Sequence, residues 1–419
     1  MTPGRRAVVV VCDSLAADLV RPETAPALSA LRAAGADFAQ ARSVFPSTTR
    51  TSSASMATGC LPAAHGLLGN TMVLDEGRGL VRLSVGKPDF LDRLRRATGR
   101  TLARPTWAQR LAGRGGSIVM SNVSPGAAYL QDPEGFGHVY HRSGSFGPGR
   151  RPLDDGLAIE VGAAGDAAMT DRFCREVLHE RAPALAVLWL SEPDHTAHRT
   201  ALGSPAHRAM IAHADACVEQ VRRTVDALDP RGEDILLVAC SDHGMETVAR
   251  QIDLDALLAD AGWKDAPDAA DVVVAPNGTA ALLYFAAAAR PRIPRLARWL
   301  QAQDFAGRVF WGDALAEVGL PASGPLGIAL ALRADDAANV HGVPGRSVSV
   351  SSPFSDTSAP GCAQHGGLGP NEQHPFLCLR GGGFRPGRRH QRVSLIDIAP
   401  TVLRHLGAAA DGMQGRGLQ

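Results

Sequence analysis

Short, continuous runs of apolar residues alternate with longer stretches of mixed polarity along this chain. Three of the runs, Ala7–Cys12, Leu185–Leu190 and Ile235–Cys240, contain no charged side chain. Runs of this kind are typical of strands buried on both faces of a parallel sheet, which helices cover on either side. The pattern therefore predicts three central strands of an α/β protein.

Helices are predicted around these strands from capping residues, proline positions and segment length. The predicted helices are Ala25–Gly35, a segment through Ala57 that Ser47 or Thr48 caps, Ala167–Arg181, Ser204–Leu228, Ile293–Gln303 and Ile396–Leu406. Further strands are predicted at Phe38–Val44, Val272–Val274, Ala280–Phe285 and Phe376–Leu379. This alternation predicts an α/β fold in which helices flank a mostly parallel central sheet.

Residues 250–345 carry a different mixture of short strands and one helix, which predicts a smaller inserted α+β cap. The main core is then expected to comprise residues 1–249 and 346–419. We expect the cap and the loop that begins at Tyr140 to shape the entrance to a ligand site. Three aromatic residues are candidates for stacking on a ring of such a ligand or for ordinary loop packing: Tyr129, Tyr140 and Phe146.

The overall charge is nearly balanced. The 419 residues include 43 basic and 42 acidic side chains, for a net charge of +1, and this gives no electrostatic footprint for a nucleic acid polymer or an anionic membrane. No apolar stretch approaches the roughly 18 residues of a membrane span. The apolar run after Arg6 is too short for a secretory signal, and seven scattered cysteines lack a CxxC pair. We therefore expect a cytoplasmic protein with reduced thiols.

Acidic and imidazole side chains follow each of the three predicted strands. Asp13 follows the first, Asp194 and His198 the second, and Asp242 and His243 the third. Because parallel strands present their carboxyl ends at one edge of a sheet, we expect these loops to meet. Carboxylates gathered there would repel one another, so one or two divalent ions are expected. Asp and His together favour zinc, with manganese as the alternative.

Each of these residues also has a structural explanation when it is taken alone. Asp13 is compatible with a turn or a helix cap, and His243 with packing at the end of a strand. Asp194 and His198, four residues apart, are compatible with an ion pair on a helix surface. The recurrence of the same residue types after three strands is what favours a metal site.

Ordered motifs thread nearly the whole chain. They are Val-Val-Cys-Asp13, Phe45-Pro-Ser-Thr-Thr-Arg-Thr-Ser-Ser-Ala-Ser-Met-Ala-Thr-Gly continuing to Asn70, Glu192-Pro-Asp-His-Thr-Ala-His198, Ser241-Asp-His-Gly-Met245 and Gln364-His-Gly-Gly367. With these motifs the chain resembles the alkaline phosphatase superfamily, and within it the nucleotide pyrophosphatase/phosphodiesterase branch and the related phosphonoacetate hydrolases. The resemblance implies an alkaline phosphatase-like fold and hydrolysis of phosphate esters.

The resemblance also implies roles for individual residues. Thr49 would be the nucleophile at the start of a helix whose backbone N–H groups can receive phosphate, and Asn70 would donate to a phosphoryl oxygen. One zinc ion would be held by Asp194, His198 and His365, and the other by Asp13, Asp242, His243 and the Thr49 hydroxyl. Thr48 is the alternative nucleophile, and His374 is the alternative to His365.

A threonine nucleophile agrees with such a site on chemical grounds. A hydroxyl is a poor nucleophile at neutral pH until a bound cation lowers its pKa, and a second cation about 4 Å away can stabilise the departing oxygen. The expected reaction is therefore a two-step phosphoryl transfer through a phosphorylated Thr49.

The chain departs from the family pattern at a few positions. Ser52 stands where many phosphodiesterases of this branch have Asn, and Ala197 stands where they have Gly, but neither change removes a ligand. Arg50 could bind a substrate oxygen or point to solvent. Ser121–Pro125 contains no lysine that could bind a substrate carboxylate, which argues against phosphonoacetate as the substrate.

Together these features predict a two-zinc enzyme that hydrolyses small-molecule phosphate esters, at phosphodiester or nucleotide pyrophosphate bonds. One alternative is cleavage of phosphonate C–P bonds, or of phosphomonoesters, by the same site. The other is a non-catalytic, metal-stabilised binding protein in which Thr49 only caps a helix.

Overall fold

A computed structural model describes residues 4–77, 79–354 and 359–418. Within these ranges the strands are β1 (Arg6–Cys12), β2 (Ala36–Phe38), β3 (Ala41–Arg42), β4 (Thr71–Asp75), β5 (Leu80–Ser84), β6 (Ser117–Ser121), β7 (His138–Tyr140), β8 (Phe146–Gly147), β9 (Arg151–Pro152), β10 (Leu185–Leu190), β11 (Ile235–Cys240), β12 (Glu246–Ile252), β13 (Val272–Asn277), β14 (Ala280–Phe285), β15 (Ala306–Trp311), β16 (Leu326–Leu332), β17 (Ala334–Ala338), β18 (Pro344–Val350), β19 (Ala363–Gln364), β20 (Leu377–Arg380), β21 (Gly387–Arg389) and β22 (Val393–Ser394). The α-helices are α1 (Pro26–Ala34), α2 (Thr49–Thr58), α3 (Pro62–His65), α4 (Phe90–Thr98), α5 (Trp107–Arg110), α6 (Pro125–Leu130), α7 (Ala163–Arg172), α8 (Asp194–Ala197), α9 (Pro205–Leu228), α10 (Leu254–Asp260), α11 (Ile293–Gln301) and α12 (Ile398–His405).

The central sheet confirms the predicted α/β fold. Its strand order is β21-β2-β20-β11-β1-β10-β6-β7-β8-β9. The three strands predicted from the apolar runs are neighbours: β1 lies between β10 and β11, and it pairs in parallel with both. Strand β20 is antiparallel to β11, so the sheet is mostly rather than wholly parallel. The carboxyl ends of β1, β10 and β11 therefore meet at one edge of the sheet.

Both faces of this sheet are buried, which explains why its strands read as continuous apolar runs. Alternate residues of β1 enter two separate apolar clusters, since side chains along a strand point to opposite faces. Val9 and Val11 pack in the cluster that contains Val402 of α12. Val8 and Val10 pack in the cluster that α1 and α9 complete on the other face.

Local sequence signals explain where several helices begin and end. Helix α9 has Pro205 at its first position, where the missing N–H breaks no helical bond, and the Ser204 side chain accepts a hydrogen bond from the backbone N–H of His207. Helix α2 ends at Gly59, which adopts a left-handed conformation with φ of 62°. These signals fix the start of α9 and the end of α2.

Two predicted elements differ from the structure. The strand predicted at Phe38–Val44 is interrupted by a turn after β2, because β2 pairs within the central sheet whereas β3 pairs with β22 in a separate ribbon. The helix predicted at Ala167–Arg181 begins at Ala163, and its second half, Phe173–Arg181, has π-helical geometry. Smaller differences of a few residues at other element ends are of the size that helix fraying and assignment conventions produce.

Two four-stranded sheets lie apart from the central one. The sheet β13-β14-β16-β15 is antiparallel and falls inside the predicted cap. The sheet β17-β18-β12-β19 instead pairs β12 with β18, and these two strands lie across the predicted boundaries at 250 and 345. The division into residues 250–345 and a surrounding core therefore stays a prediction.

Part of the first of these sheets packs on the segment that follows β3. Tyr284 and Phe310 share an apolar cluster with Phe45 and Leu67, and the rings of Phe45 and Phe310 lie 6.2 Å apart. This contact places the sheet beside Phe45, a few residues before the start of α2. In the ranges that the structure describes, none of the helices combines the length and apolar character that a bilayer span needs.

Candidate active site

The loops that follow β1, β10 and β11 carry the predicted metal ligands and meet at the carboxyl edge of the sheet. Asp13 follows β1 directly, Asp194 and His198 lie on and just after α8, and Asp242 and His243 follow β11. The structure brings them together with His365 in two groups, each with ligand atoms within 4.8 Å of one another. The five residues that follow the parallel strands therefore meet in one place, as expected, and His365 joins them from another segment.

The first group consists of Asp13, Asp242 and His243, which are all buried. His243 Nε2 lies 3.1 Å from Asp242 Oδ2 and 3.6 Å from Asp13 Oδ1. The second group consists of Asp194, His198 and His365. In it, His198 Nε2 lies 3.4 Å from Asp194 Oδ2, and His365 Nε2 lies 3.7 Å from Asp194 Oδ1.

The two groups adjoin each other. The rings of His243 and His365 stack with their centroids 3.7 Å apart. His365 reaches this place from the loop after β19, and its Nδ1 lies 2.8 Å from the carbonyl oxygen of Ser47. Residues more than a hundred positions apart in sequence thus form one continuous polar site.

The histidine tautomers suit metal binding. Nδ1 of His243 lies 2.9 Å from the carbonyl oxygen of Gly244, as Nδ1 of His365 does from Ser47. A carbonyl oxygen only accepts, so Nδ1 carries the proton in each ring and Nε2 presents its lone pair to the group. Such a backbone partner behind the ring is the usual arrangement around a protein-bound metal.

The carboxylates have oxygen atoms available for a cation. At this site, three buried carboxylate oxygens lack a hydrogen-bond partner among the described residues: Asp13 Oδ1, Asp194 Oδ1 and Asp242 Oδ2. Leaving a buried carboxylate oxygen unpaired is unfavourable by roughly 1–3 kcal/mol or more. The donor set, with carboxylate oxygens and imidazole nitrogens in groups of three, fits divalent ions of the zinc type.

The electrostatics of the bare site point the same way. Burial, and then repulsion from Asp242 and Asp194, raises the pKa of Asp13 well above its usual range. Burial, and then the neighbouring His243, lowers the pKa of His365 well below its usual range. A bound cation would favour the ionised carboxylate and the neutral imidazole together, which removes the repulsion between the acids.

Thr49 is the first residue of α2 and lies against the first group. Its Oγ1 is 3.2 Å from His243 Nε2, and its side chain lines the same cavity as Asp13 and Asp194. The neighbouring Thr48 also lines this cavity, but its hydroxyl is hydrogen-bonded to the hydroxyl of Thr51 at 2.9 Å. The geometry therefore favours Thr49 over Thr48 as the nucleophile, and this role stays a prediction.

Asn70 lies beside the start of α2. Its side-chain oxygen accepts a hydrogen bond of 3.1 Å from the backbone N–H of Arg50, and its own backbone N–H donates to Asn277 Oδ1. Because Oδ1 accepts from this N–H, the amide nitrogen Nδ2 remains as a donor, and Asn70 lines the cavity. This orientation suits the predicted donation to a phosphoryl oxygen.

The alternative histidine and the three aromatic candidates singled out from the sequence lie outside this constellation. His374 bonds through Nε2 to the carbonyl oxygen of Ala39 and faces Asp18. Tyr140 is buried, and Tyr129 packs against the Phe146 ring. The aromatic candidates Tyr129, Tyr140 and Phe146 therefore pack within the protein. Packing, rather than stacking on a ligand ring, was the alternative prediction for each.

Sequence reasoning missed several residues that the structure places at the site. The cavity, about 320 Å³ in volume, is also lined by Arg142, His195, Arg199 and Phe354. A second omission is Asp166, whose carboxylate accepts hydrogen bonds from Asn122 Nδ2 and from the backbone N–H groups of the residues after β10. His195 lies inside the Glu192–His198 motif, which was its only local signal, and none of the other residues shares a motif with a predicted ligand.

A model of one protein family matches residues 7–301, and its description is type I phosphodiesterase/nucleotide pyrophosphatase. Among solved structures, murine ectonucleotide pyrophosphatase/phosphodiesterase 5, an inactive variant in complex with AMP, is similar with a TM-score of 0.67 and 17% identity over 98% of this chain and 97% of that one. No curated protein sequence matches the chain.

Two further solved structures have the same fold. Phosphonoacetate hydrolase from Sinorhizobium meliloti in complex with phosphonoformate has a TM-score of 0.67 and 18% identity over 97% of this chain and 96% of that one. Wild-type alkaline phosphatase PafA has a TM-score of 0.72 and 13% identity over 100% of this chain and 99% of that one. The predicted alkaline phosphatase-like fold is therefore confirmed along essentially the whole chain.

Proposed function

The chain belongs to the type I phosphodiesterase/nucleotide pyrophosphatase family and is a phosphoric ester hydrolase, and from that premise we propose that it cleaves phosphodiester or nucleotide pyrophosphate bonds through a phosphorylated Thr49. The observation that carries the proposal is the position of Thr49 Oγ1, 3.2 Å from His243 Nε2. The hydroxyl is thus at the first metal-ligand group, and that group adjoins the second one.

Two divalent ions, zinc in our proposal, would be held by Asp13, Asp242, His243 and the Thr49 hydroxyl on one side and by Asp194, His198 and His365 on the other. Bound there, such ions would lower the pKa of a hydroxyl group and offset the negative charge of phosphoryl oxygens. The unpaired carboxylate oxygens and the outward lone pairs of the two imidazoles support this assignment.

In the first step, Thr49 Oγ1 forms a bond to phosphorus as the bond from phosphorus to the leaving-group oxygen breaks. In the second step, water attacks the phosphothreonine and the threonine oxygen departs, so two inversions give net retention at phosphorus. Asn70 Nδ2 and a backbone N–H at the start of α2 donate to the phosphoryl oxygens during both steps. Most of the rate then comes from positioning and charge, as expected for phosphoryl transfer.

The test compares Thr49→Ala and Thr49→Ser with the parent protein on bis(p-nitrophenyl) phosphate, at equal zinc content. We expect Thr49→Ala to lose about a thousandfold or more of kcat, and Thr49→Ser to keep measurable turnover because it retains a hydroxyl. Acid quenching followed by mass spectrometry should find phosphate on the peptide that contains Thr49 in the parent protein. Unchanged turnover in Thr49→Ala would remove the nucleophile assignment. The comparison requires that this variant retains the zinc content of the parent.

The rival explanation is a metal-stabilised binding protein that lacks catalysis. It predicts that the zinc-loaded parent hydrolyses no phosphate, phosphonate or sulfate ester, whereas our proposal predicts hydrolysis that a chelator abolishes and added zinc restores. Turnover of phosphonoacetate and p-nitrophenyl phosphate in the same assays separates phosphonate and monoester hydrolysis from diester hydrolysis.

A further inference from the structure

Two arginine side chains from distant parts of the chain converge on the segment that follows β6. Arg50, next to Thr49 on α2, donates from Nε to Ser124 Oγ at 3.0 Å. Arg142, on the loop after β7, donates from Nη1 to Asn122 Oδ1 and to the carbonyl oxygen of Val123, both at 2.9 Å. Both guanidinium groups line the cavity that also contains Thr49.

The position of Arg142 is built by a buried network. Asn122 is fully buried, and its Nδ2 donates to Asp166 Oδ1 at 2.8 Å. This bond fixes the amide so that Oδ1 faces Arg142, while Asp166 is itself held by the backbone of Ser191. The guanidinium group of Arg142 is therefore held in one orientation rather than being mobile in solvent.

A glycine at position 86 leaves space for the guanidinium group of Arg50. A Cβ atom at Gly86 would lie 2.5 Å from Nη2 of Arg50, so a side chain at position 86 would displace the guanidinium. Arg50 also donates its backbone N–H to Asn70 Oδ1, which ties the residue to the predicted phosphoryl donor.

Neither arginine has a carboxylate within ion-pair distance in the part of the chain that the structure describes. Across the described ranges, no carboxylate forms an ion pair with Arg50 or Arg142, and Nη2 of Arg50 and Nε and Nη2 of Arg142 have no hydrogen-bond partner. Burial lowers the pKa of Arg50 to about 10, and it lowers the pKa of Arg142 as well. Both side chains nevertheless stay protonated at neutral pH, so each presents a positive charge with free donors.

The free donors of the two arginines bear on substrate choice, a consequence that rests on the proposed function. The two metal-ligand groups and Thr49 hold the reacting phosphoryl group, which leaves the donors of Arg50 and Arg142 for another part of the substrate. A substrate with a second anionic group would occupy them.

We propose that Arg50 and Arg142 form a second anion subsite beside Asn122–Ser124, which selects substrates that carry a carboxylate or phosphate group in addition to the reacting phosphoryl group. A guanidinium binds either group through paired, charge-assisted hydrogen bonds. The subsite acts on substrate choice and is separate from the nucleophile and the metal ligands.

The test measures binding, so that it does not depend on turnover. Calorimetry on the zinc-loaded protein compares 3-phosphonopropionate with 3-phosphonopropionamide, two ligands that differ in one negative charge. We expect the parent protein to bind the carboxylate ligand about tenfold or more tightly than the amide. Arg142→Met and Arg50→Met should each bring that ratio close to one, and Arg142→Lys should keep part of it. The exposed Arg96, which lies outside the cavity, provides the control Arg96→Met, whose ratio should equal that of the parent.

The proposal is overturned if the parent shows no preference for the charged ligand, or if the preference persists in both methionine variants. Equal zinc content and melting temperature of each variant and the parent exclude misfolding as the cause of a lost preference. Ethane-1,2-diphosphonate in a parallel titration shows which second group is preferred, since tighter binding than the carboxylate ligand identifies a phosphate and weaker binding a carboxylate. Failure of the proposed function is a different result, namely no hydrolysis of bis(p-nitrophenyl) phosphate by the zinc-loaded parent whatever the binding ratio.

Discussion

Ser43 Oγ donates a hydrogen bond of 2.7 Å to the backbone carbonyl oxygen of Asp242. Ser52 Oγ, on α2, donates to the same oxygen at 3.2 Å, and the two hydroxyls lie 3.4 Å apart. The helix that begins with Thr49 is thereby fastened to the loop that carries two predicted metal ligands. The Ser52 position is where the family pattern often has Asn, and the shorter side chain still makes this connection.

Because Ser43 and Ser52 share one acceptor, we expect their removal to have non-additive effects on the free energy of unfolding. Ser43→Ala or Ser52→Ala alone leaves the Asp242 carbonyl with one donor, so each should lower the free energy of unfolding by about 1 kcal/mol. The double variant leaves the buried carbonyl without either donor, and it should lose more than the sum of the single changes, by about 0.5 kcal/mol or more. Urea unfolding of the four proteins measures the coupling, and strictly additive losses would contradict it.

The two ligand groups predict separable metal sites. Asp13→Asn removes a charge from the first group. It should weaken the binding of one ion by at least about tenfold and the binding of the other ion much less. Asp194→Asn should have the opposite selectivity. Metal analysis after dialysis against graded chelator concentrations measures both, and equal loss of the two ions from Asp13→Asn would contradict the assignment of residues to separate groups.

The backbone around His365 depends on a glycine. Gly278 has φ of +70°, and a Cβ atom there would lie 2.0 Å from the carbonyl oxygen of His365. Gly278→Ala should therefore displace His365 and weaken the second metal site by about tenfold or more. The exposed Gly262 also has a positive φ, of +72°, but a Cβ atom there would meet nothing. Gly262→Ala is thus the control for strain alone, and its metal content should match that of the parent.

Two buried acids behind the site predict a pH effect on stability. Burial, and then repulsion from Glu372, raises the pKa of Glu246 to about 7. Between pH 4.5 and about 7 the folded protein holds a proton that the unfolded chain releases near pH 4.5. The contribution of Glu246 to the free energy of unfolding is therefore full below pH 4.5 and is lost as the pH rises through 7. Glu246→Gln should remove the loss, and the stability of the variant relative to the parent should rise from pH 5 to pH 8 by about 1–3 kcal/mol.

Glu372 offers the matched contrast. Both of its carboxylate oxygens accept backbone hydrogen bonds of 2.9 Å, from Gly367 and Gly369. An amide NH₂ in place of either oxygen would face an N–H donor, so Glu372→Gln should be destabilising at every pH by about 1–3 kcal/mol. Thermal unfolding from pH 5 to pH 8 measures both variants. A parallel pH dependence in Glu246→Gln and the parent would contradict the assignment to Glu246.

The sequence alone determined the central strands and most of the ligand positions. The runs Ala7–Cys12, Leu185–Leu190 and Ile235–Cys240 are apolar because their strands are covered on both faces, and this signal is local in the chain. Once these strands are parallel neighbours, the residues after them must lie at the same edge. Asp13, Asp194 and Asp242 could therefore be placed together before any coordinates were known, whereas His365 could be included only through the resemblance.

Other features were decided by tertiary structure. Arg50 and Arg142 meet at Asn122–Ser124, and Asp166 holds Asn122, through loops that have no periodic pattern and whose paths depend on long-range packing. The absence of lysine in that segment suggested that it carries no positive charge, yet arginines from two other parts of the chain supply it. Periodicity and strand order report which backbone segments are neighbours, but the direction of a long side chain on a loop depends on the hydrogen bonds and space around it in the folded protein.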